Sequence, residues 1–361
     1  MKEKTRLLIV LAVSLLLVLN ACSTTAATEA AVEEPAEAAV AAEDEATDTT
    51  EAAVVEQEPL LITAVVAEVG IPYFTTMHCG AIAAAEKYNV ELNWAGPAEW
   101  DFNKQQPFID GALALEPDGM IIVPTDPDAL VTYVQTWMDD GIPVVTADVT
   151  LSDPVELMGI ESDQYSGGVA AAKALFEITG GEGSYYTVGT TPGSYGAGQR
   201  LAGFIDTMKE LNPDANILET CYANHDATKS AECVSAAIIG NPDLKGVYVA
   251  VSSIAAGAAS AIIEQGKAGD IVLMSYDADP QQVQDLKAGI YGTLIAQDPY
   301  QMGWLAVETL AKYVRGEITK EEITQHVTVG MAALTQDNID DPDLLKYQYV
   351  GDVNLCPVIV E

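Results

Sequence analysis

Positive charge is scarce in this chain of 361 residues, which has 16 Lys and Arg residues against 54 Asp and Glu residues. From residue 59 onward the counts are 13 against 42, a net charge of −29. A surface this acidic repels phosphate groups, and a phosphate backbone is bound chiefly through Lys and Arg. Nucleic acids and other polyanions are therefore excluded as partners.

Motifs of catalysis and of nucleotide binding are missing as well. There is no G-x-S-x-G elbow for a serine nucleophile, and the segment GSYGAGQR (193–200) does not have the G-x-G-x-x-G spacing of a dinucleotide loop. The three histidines, His78, His225 and His326, have no nucleophile at a recognisable spacing. We therefore expect neither enzyme activity nor a bound cofactor.

One apolar run raises the question of a membrane segment. Residues 7–19 are apolar and follow the cationic hexapeptide MKEKTR. This run is too short to span a bilayer comfortably, and its order after a cationic start is typical of a secretory signal. The closing LNAC (19–22) resembles a bacterial lipobox, whose cysteine becomes the lipidated first residue. We predict a lipoprotein signal peptide over 1–21 and lipidation of Cys22; the alternative is an ordinary signal peptide cut elsewhere.

The next segment, 23–58, contains no Lys, Arg, Gly or aromatic residue. Such a tract of Ala, Glu and Thr cannot bury enough apolar surface to offset the entropy of ordering it. An Ala/Glu helix is the alternative, but the tract lacks amphipathic periodicity and positive partners for its carboxylates. We predict that 22–58 is a lipidated cysteine followed by a disordered acidic spacer, which holds a globular domain off a membrane outside the cytoplasm.

Residues 59–361 alternate between short apolar runs and helical patterns. The runs predicted as strands are 60–67, 89–95, 118–123, 142–146, 184–188, 216–221, 246–251, 271–275 and 292–296. This alternation over short connections predicts an α/β fold of parallel sheets covered on both faces. The strands are too many for one doubly wound sheet, and a break near 161–168 predicts two Rossmann-like lobes. In such sheets ligands bind beyond the carboxyl ends of the strands.

Polar side chains follow several of these predicted strands. They are Asp148, Arg200, His225, Asp277 and Gln297. Planar carboxylate, guanidinium and amide groups can hydrogen-bond two vicinal hydroxyls, and aromatic rings cover the C–H face of a sugar. Tyr73 and Phe74 follow the first strand and could supply such rings. Helix capping or surface solvation is the alternative for each position taken alone.

Residues 60–330 resemble the periplasmic sugar-binding proteins of ABC transporters, of the ribose-binding type. The similar segments are VVAEVGIPYF, EPDGMIIVPTDPDAL, GIPVVTAD, GIESDQYSGG, AGQRLAGF, NPDLKGVYV, VLMSYDADP and TLIAQDPYQMG, in the family's order. The resemblance implies a type I periplasmic-binding-protein fold, in which three crossings join the lobes near Ser162, Gln297 and Thr328. The lobes so implied are 59–162 with 298–328, and 163–297 with the tail 329–361.

The resemblance also implies a set of ligand-binding residues. Carried over residue by residue, they are Tyr73, Phe74, Asp148, Arg200, His225, Asp277 and Gln297. Ile71, Val149 and Val251 stand where ribose binders have hydrogen-bonding residues, and since a buried polar pairing is worth about 1–3 kcal/mol, ribose itself is not expected. The loops 94–101 and 224–230 are more similar to the branch of rhamnose and autoinducer-2 binders. Trp100 or Glu99 could reach the ligand, with a solvated loop as the alternative.

The function implied is that of a lipid-anchored extracytoplasmic solute-binding protein. It would capture a small neutral sugar or polyol and deliver it to an ABC permease, and we expect a monomer without cofactor or metal. The alternatives are a sensor that presents its ligand to a receptor kinase or chemoreceptor, and an autoinducer-2-like binder.

Four cysteines follow Cys22 in the sequence. The set Cys221, His225 and Cys233 has a superficial likeness to a zinc site. In an exported protein, a disulfide between Cys221 and Cys233 is the better interpretation, and it fits the even count. The remaining two, Cys79 and Cys356, could pair, but the sequence does not bring them together.

Overall fold

The computed structural model describes residues 58–356. The predicted signal peptide, the lipidation site Cys22 and the acidic spacer to residue 57 lie outside these residues. Within 58–356, no helix combines the length and the apolar character needed to cross a bilayer.

The first sheet has six parallel strands in the order β12-β5-β4-β3-β1-β2. Its strands are β1 (Leu60–Val65), β2 (Val90–Ala95), β3 (Gly119–Ile122), β4 (Val144–Ala147), β5 (Met158–Ser162) and β12 (His326–Val329). Strands β3 and β4 are buried on both faces, which is why their sequences GMII and VVTA show little polar alternation.

The second sheet follows the path β13-β11-β10-β9-β6-β7, with β8 also paired to β6. Its strands are β6 (Ser184–Gly189), β7 (Asn216–Ile217), β8 (Cys221–Tyr222), β9 (Leu244–Val249), β10 (Val272–Tyr276), β11 (Tyr291–Gln297) and β13 (Met331–Leu334). All pairings are parallel except that of β11 with β13. The predicted pair of parallel-stranded sheets is confirmed.

Nine α-helices of the described chain connect and cover these strands. They are α1 (Pro72–Lys87), α2 (Phe102–Leu113), α3 (Val131–Asp139), α4 (Gln164–Thr179), α5 (Tyr195–Leu211), α6 (Ala227–Gly240), α7 (Ser252–Glu264), α8 (Pro280–Lys287) and α9 (Pro299–Val314). Short 3₁₀ helices follow at Lys320–Glu322, Pro342–Tyr347 and Val353–Leu355.

Two close helix pairs fix the helices that carry candidate ligand residues. In the first, a Cβ added at Gly80 of α1 would lie 1.9 Å from the carbonyl oxygen of Tyr300 in α9. In the second, a Cβ at Gly168 of α4 would lie 2.0 Å from the carbonyl oxygen of Arg200 in α5. Glycine lets the backbones approach closely at both points. Helix α1, which carries Tyr73, is therefore packed closely on α9, and helix α5, which carries Arg200, is packed closely on α4.

The chain passes between the two sheets at three places within 58–334. The first lies between β5 and α4, the second between β11 and α9, and the third between β12 and β13. Helix α9 packs on α1 and on strands of the first sheet, whereas α4 packs on α5 and on strands of the second.

Several local predictions were wrong in detail. The strand β5 and the polar helix α8 were not predicted. The strand predicted at 216–221 is two short strands, β7 and β8. Helix α3 begins at Val131, after a turn in which the Asp126 carboxylate accepts bonds from the N–H groups of Asp128 and Ala129.

Two disulfides are present in the described chain. One joins Cys221 to Cys233, and the other joins Cys79 in α1 to Cys356, a separation of 277 residues. Because its two sulfurs are bonded to each other, the Cys221–Cys233 pair offers no thiolate to a zinc ion. Residues 58–356 contain no cluster of three potential metal-ligating side chains.

Candidate functional site

Two aspartates occupy equivalent positions at the carboxyl ends of the two sheets. Asp148 follows β4 of the first sheet with φ of 67°, and Asp277 follows β10 of the second with φ of 71°. Non-glycine residues seldom adopt this left-handed conformation, and Asp tolerates it better than most. Held this way, each carboxylate comes directly off the end of a buried strand, where a ligand of an α/β sheet would bind.

On the side of the first sheet, Tyr73 holds Asp148. The Tyr73 hydroxyl donates to Asp148 Oδ1 at 2.8 Å, and its ring is buried near the start of α1, where Pro72 is the first helical residue. Burial raises the pKa of Asp148 to about 6, while the bond from Tyr73 and the charge of Arg200 act in the opposite direction. The negative charge of Asp277, from the second sheet, also raises this pKa.

On the side of the second sheet, Arg200 is the central cation and is only 7% exposed. Its Nε donates to Gln164 Oε1 at 2.7 Å, and its Nη1 donates to the carbonyl oxygen of Ala250 at 2.9 Å. The guanidinium lies over the Tyr276 ring, 3.6 Å from the centroid. These contacts use two of the five N–H donors of a guanidinium and fix its plane, which suits it to bind planar or vicinal oxygens.

A chain of hydrogen bonds links Arg200 to Asp277. Gln164, bound to Arg200, lies 3.5 Å from Gln297 through Nε2 and Oε1. Gln297 Nε2 donates to Asp277 Oδ1 at 2.9 Å, and the Tyr349 hydroxyl donates to the same oxygen at 3.2 Å. Both bonds fall on Oδ1, so Oδ2 is the oxygen of Asp277 that can accept from a ligand hydroxyl.

Aromatic rings lie next to the Asp148 side of this network. Phe74 is buried with its ring 5.2 Å from that of Tyr73, edge to face, and 6.3 Å from that of Trp100. Trp100 is 44% exposed, and its Nε1 donates to the carbonyl oxygen of Thr125 at 3.3 Å. Glu99 of the same loop forms an ion pair with Lys104. Trp100 therefore extends the aromatic surface begun by Phe74, whereas Glu99 is engaged with a lysine.

His225 takes a different position from the other candidates. It is exposed in the loop after β8, with φ of 58°, and its Nδ1 lies 3.5 Å from the Ser253 hydroxyl. Within residues 58–356, no hydrogen bond joins it to Asp148, Arg200 or Asp277. Hydrogen bonds, ring contacts and charge interactions connect the other six predicted residues, whereas the hydrogen-bond partner of His225 is Ser253.

Two open cavities flank these elements. One of about 320 Å³ lies beside Phe74, His78, Trp94 and the segment 351–353. The other, of about 260 Å³, is lined by Glu161, Gln164 and Thr328 near the first and third crossings and by Tyr195 of α5, among others. The linings of these two cavities do not include Asp148, Arg200 or Asp277.

Three residues of the network were missed by sequence reasoning. Gln164 follows the first crossing as the first residue of α4, and Tyr276 directly precedes Asp277. Both lie in segments by which the chain resembles the family, GIESDQYSGG and VLMSYDADP. Their polar or aromatic side chains in these segments could therefore have marked them as candidate site residues. Tyr349 gave no signal, since it lies in a C-terminal segment without a predicted strand or helix.

Comparison with known proteins agrees with this arrangement. Residues 62–318 match the family model described as periplasmic binding protein domain. The chain is 28% identical to the ribose import binding protein of Salmonella typhimurium over 71% of this chain and 85% of that protein. It is 26% identical to the xylitol-binding protein of Mycolicibacterium smegmatis, over 72% and 80% respectively.

Solved structures show the same fold. A solute-binding protein of an ABC transporter from Agrobacterium vitis, bound with α-D-tagatopyranose, is 29% identical with a TM-score of 0.74, covering 81% of this chain and 99% of that one. A second protein from Agrobacterium vitis, with bound D-fucose, is 28% identical with a TM-score of 0.72, covering 80% and 100%.

Proposed function

The chain belongs to the periplasmic binding protein domain family, among the sugar-binding proteins of ABC transporters, and from this premise we propose that it captures a small neutral sugar or polyol for an ABC permease. One observation carries the proposal. Asp148 and Asp277 project from equivalent strand ends of the two sheets, and Arg200 interacts electrostatically with Asp148 and Asp277.

The chemistry of these groups favours neutral polyhydroxylated ligands. Carboxylates accept hydrogen bonds from hydroxyls, and the guanidinium donates to them, so the two kinds of group can hold both faces of a diol. Phe74 and Trp100 supply ring surface for sugar C–H groups. With two carboxylates against one guanidinium, an anionic ligand would meet net repulsion.

The ligand of this protein differs from ribose in our proposal. Ile71 is the N-terminal capping residue of α1 and makes no side-chain capping bond there, and Val149 and Val251 are likewise apolar. At these positions a ribose binder has groups that hydrogen-bond the sugar. A ligand with fewer hydroxyls to satisfy, such as a deoxysugar, fits the change, because each unmade buried pairing costs about 1–3 kcal/mol.

Binding is proposed to close two lobes about the three crossings. We assign 59–162 with 298–328 to one lobe and 163–297 with the tail 329–361 to the other, with the tail reaching back to the first sheet at Tyr349 and Cys356; the membership of the strands in two sheets supports this division. A ligand that touches Asp148 and Asp277 at once stabilises the closed state by its differential affinity for that state.

The location and the partners are further parts of the proposal. A signal peptide over 1–21 and a lipid on Cys22 would tether the protein outside the cytoplasm, and the acidic segment to residue 58 would give it reach. The protein would act as a monomer and hand its ligand to the permease. The alternative is a sensor that presents its ligand to a receptor kinase or chemoreceptor. Transport of the ligand by a reconstituted permease that requires this protein would support the transport role over the sensing role.

Calorimetric titration of the purified protein tests the proposal directly. The panel contains pentoses, hexoses, deoxysugars, inositols, xylitol and autoinducer-2, with a sugar phosphate as the charged control. We expect micromolar or tighter binding of a neutral compound, at or below a Kd that corresponds to about −8 kcal/mol. Binding of the sugar phosphate alone, or of nothing in the panel, would contradict the proposed ligand class.

A further inference from the structure

The C-terminal segment 335–356, here named the strap, runs from the core of the second sheet to the core of the first sheet. It leaves β13 at the edge of the second sheet, and Ile339, 1% exposed, packs in the apolar core of that sheet. Ten residues later Tyr349, 4% exposed, packs with Tyr73 and Phe74 in the core of the first sheet. The strap is thus a fourth connection between the two halves, after the three crossings.

The strap is fastened at both ends. On the side of the second sheet, Lys287 Nζ lies 2.6 Å from Asp340 Oδ1, and the Tyr349 N–H donates to the carbonyl oxygen of Ala278 at 3.0 Å. On the side of the first sheet, the Val350 N–H donates to the Thr76 hydroxyl, and Cys356 is bonded to Cys79 of α1. The disulfide at the C-terminal end of the strap keeps it close to α1 even when a single hydrogen bond breaks.

Tyr349 is where the strap meets the candidate site. Its hydroxyl accepts from the Gln297 N–H at 3.0 Å and donates to Asp277 Oδ1 at 3.2 Å. Its ring lies 5.6 Å from that of Tyr73, the residue that holds Asp148. Burial raises the pKa of Tyr349 well above its usual range, so the hydroxyl stays protonated and remains a donor.

We propose that Tyr349 is a positioning residue of the ligand site, which the disulfide-fastened strap holds against Asp277 so that Oδ2 of this carboxylate faces the ligand. The inference rests on the proposed function, because Asp277 must bind the ligand. A chain end that only covered apolar surface would have no need to bury a hydroxyl, since Phe would fill the same space without a polar group to satisfy.

The variant Tyr349→Phe keeps the ring and removes the hydroxyl. Asp277 Oδ1 then still accepts from the side-chain Nε2 of Gln297, but the backbone N–H of Gln297 loses its acceptor. A hydrogen bond to a charged group changes an equilibrium constant by on the order of tenfold or more. We therefore expect the Kd of the best ligand to rise about tenfold. The ratio of affinities for two epimers should also fall, since the carboxylate becomes free to turn.

Calorimetry on the wild type, Tyr349→Phe and the matched control Tyr347→Phe tests the role of the hydroxyl. Tyr347 lies two residues earlier on the strap, near Lys346 rather than the carboxylates. Support requires weaker binding and lower epimer discrimination in Tyr349→Phe alone, with urea unfolding showing that both variants are folded at the working temperature. Equal affinities of the two variants would overturn the proposal.

Hydrogen exchange of the ligand-free protein separates this proposal from the proposed function. The Tyr349 amide should be protected in the wild type and exchange much faster in the double variant Cys79→Ala/Cys356→Ala. Rapid exchange in the wild type, or equal protection in both proteins, would overturn the fastened strap. A wild type that binds no sugar of the panel contradicts the proposed function instead, and the exchange result then decides on the strap.

Discussion

Replacement of Arg200 by Ala tests the proposed site most directly. The change removes the bonds to Gln164 Oε1 and to the Ala250 carbonyl, and it removes the cation over the Tyr276 ring. A hydrogen bond to a charged group contributes about 1.5–3 kcal/mol, and a desolvated cation–π contact about 2 kcal/mol. Burial of the charge opposes these terms, so we expect the free energy of unfolding to fall by about 2–4 kcal/mol.

The effect of Arg200→Ala on binding has a separate cause. In the closed site the ligand loses a charge-assisted donor, and Asp148 and Asp277 lose the cation that offsets their mutual repulsion. A loss of about 2–4 kcal/mol raises Kd by about 30- to 1,000-fold. Arg200→Lys keeps the charge without the planar fork, so its Kd should lie between those of the wild type and of Arg200→Ala.

Calorimetry at pH 7 measures Kd, and circular dichroism with urea shows that each variant is folded at the working temperature. Arg315→Ala is the matched control, because Arg315 caps the end of α9 and donates to the carbonyl oxygen of Asn89. Equal Kd values for Arg200→Ala and Arg315→Ala would refute the assignment of the site. If Arg200→Ala does not fold, Arg200→Lys takes its place in the same comparison.

The remaining predictions concern pH and membrane attachment. Since the pKa of Asp148 is raised to about 6, its carboxylate is lost between pH 7 and 5, and ligand affinity should fall over this range in the wild type but not in Asp148→Asn. Because burial raises the pKa of Asp148 in the folded state, the free energy of unfolding of the wild type should decrease as pH rises through 6. The stability of Asp148→Asn relative to the wild type should therefore be greater at pH 8 than at pH 4. Burial lowers the pKa of His78, which is stacked on Trp94, to about 4. As the pH falls from 7 to 5, this histidine is therefore protonated in the unfolded chain before it is protonated in the folded protein, which destabilises the wild type. The urea midpoint should fall less over this range in His78→Gln than in the wild type. Cys22→Ala should release the protein from membranes or leave an unprocessed precursor, and a variant that still fractionates with lipoproteins would contradict the lipobox.

The carboxyl ends of the strands could be located from the sequence because buried parallel strands have a strong signature. PVVTAD and VLMSYD are apolar runs that end in a single acidic residue, and both aspartates stand directly after their strands in the structure. Strand β5 lacked this signature, since MGIES has three apolar or small residues before a glutamate and ends in a crossing. Helix α8, PQQVQDLK, is mostly polar and buries few side chains, so periodicity could not reveal it.

The role of the C-terminal segment could not be predicted because it depends on the path of the chain rather than on local pattern. Cys79 and Cys356 meet only after two sheets, nine helices and the strap have been placed. Tyr349 gives no sign in the sequence that it will reach Asp277, which lies 72 positions earlier. Contacts of this kind follow from tertiary packing, which single-sequence propensity does not describe.

The symmetry of the site explains why a ligand, and not closure alone, should bring the lobes together. Asp148 and Asp277 come from equivalent strand ends; burial is the main cause of the raised pKa of Asp148, and the negative charge of Asp277 adds to it. Closure without a ligand would add to this repulsion while burying both groups further. Hydroxyls that donate to each carboxylate relieve it, and Arg200 balances only one of the two charges. In the proposed closure, a neutral donor of several hydrogen bonds, such as a sugar or polyol, would therefore stabilise the closed state.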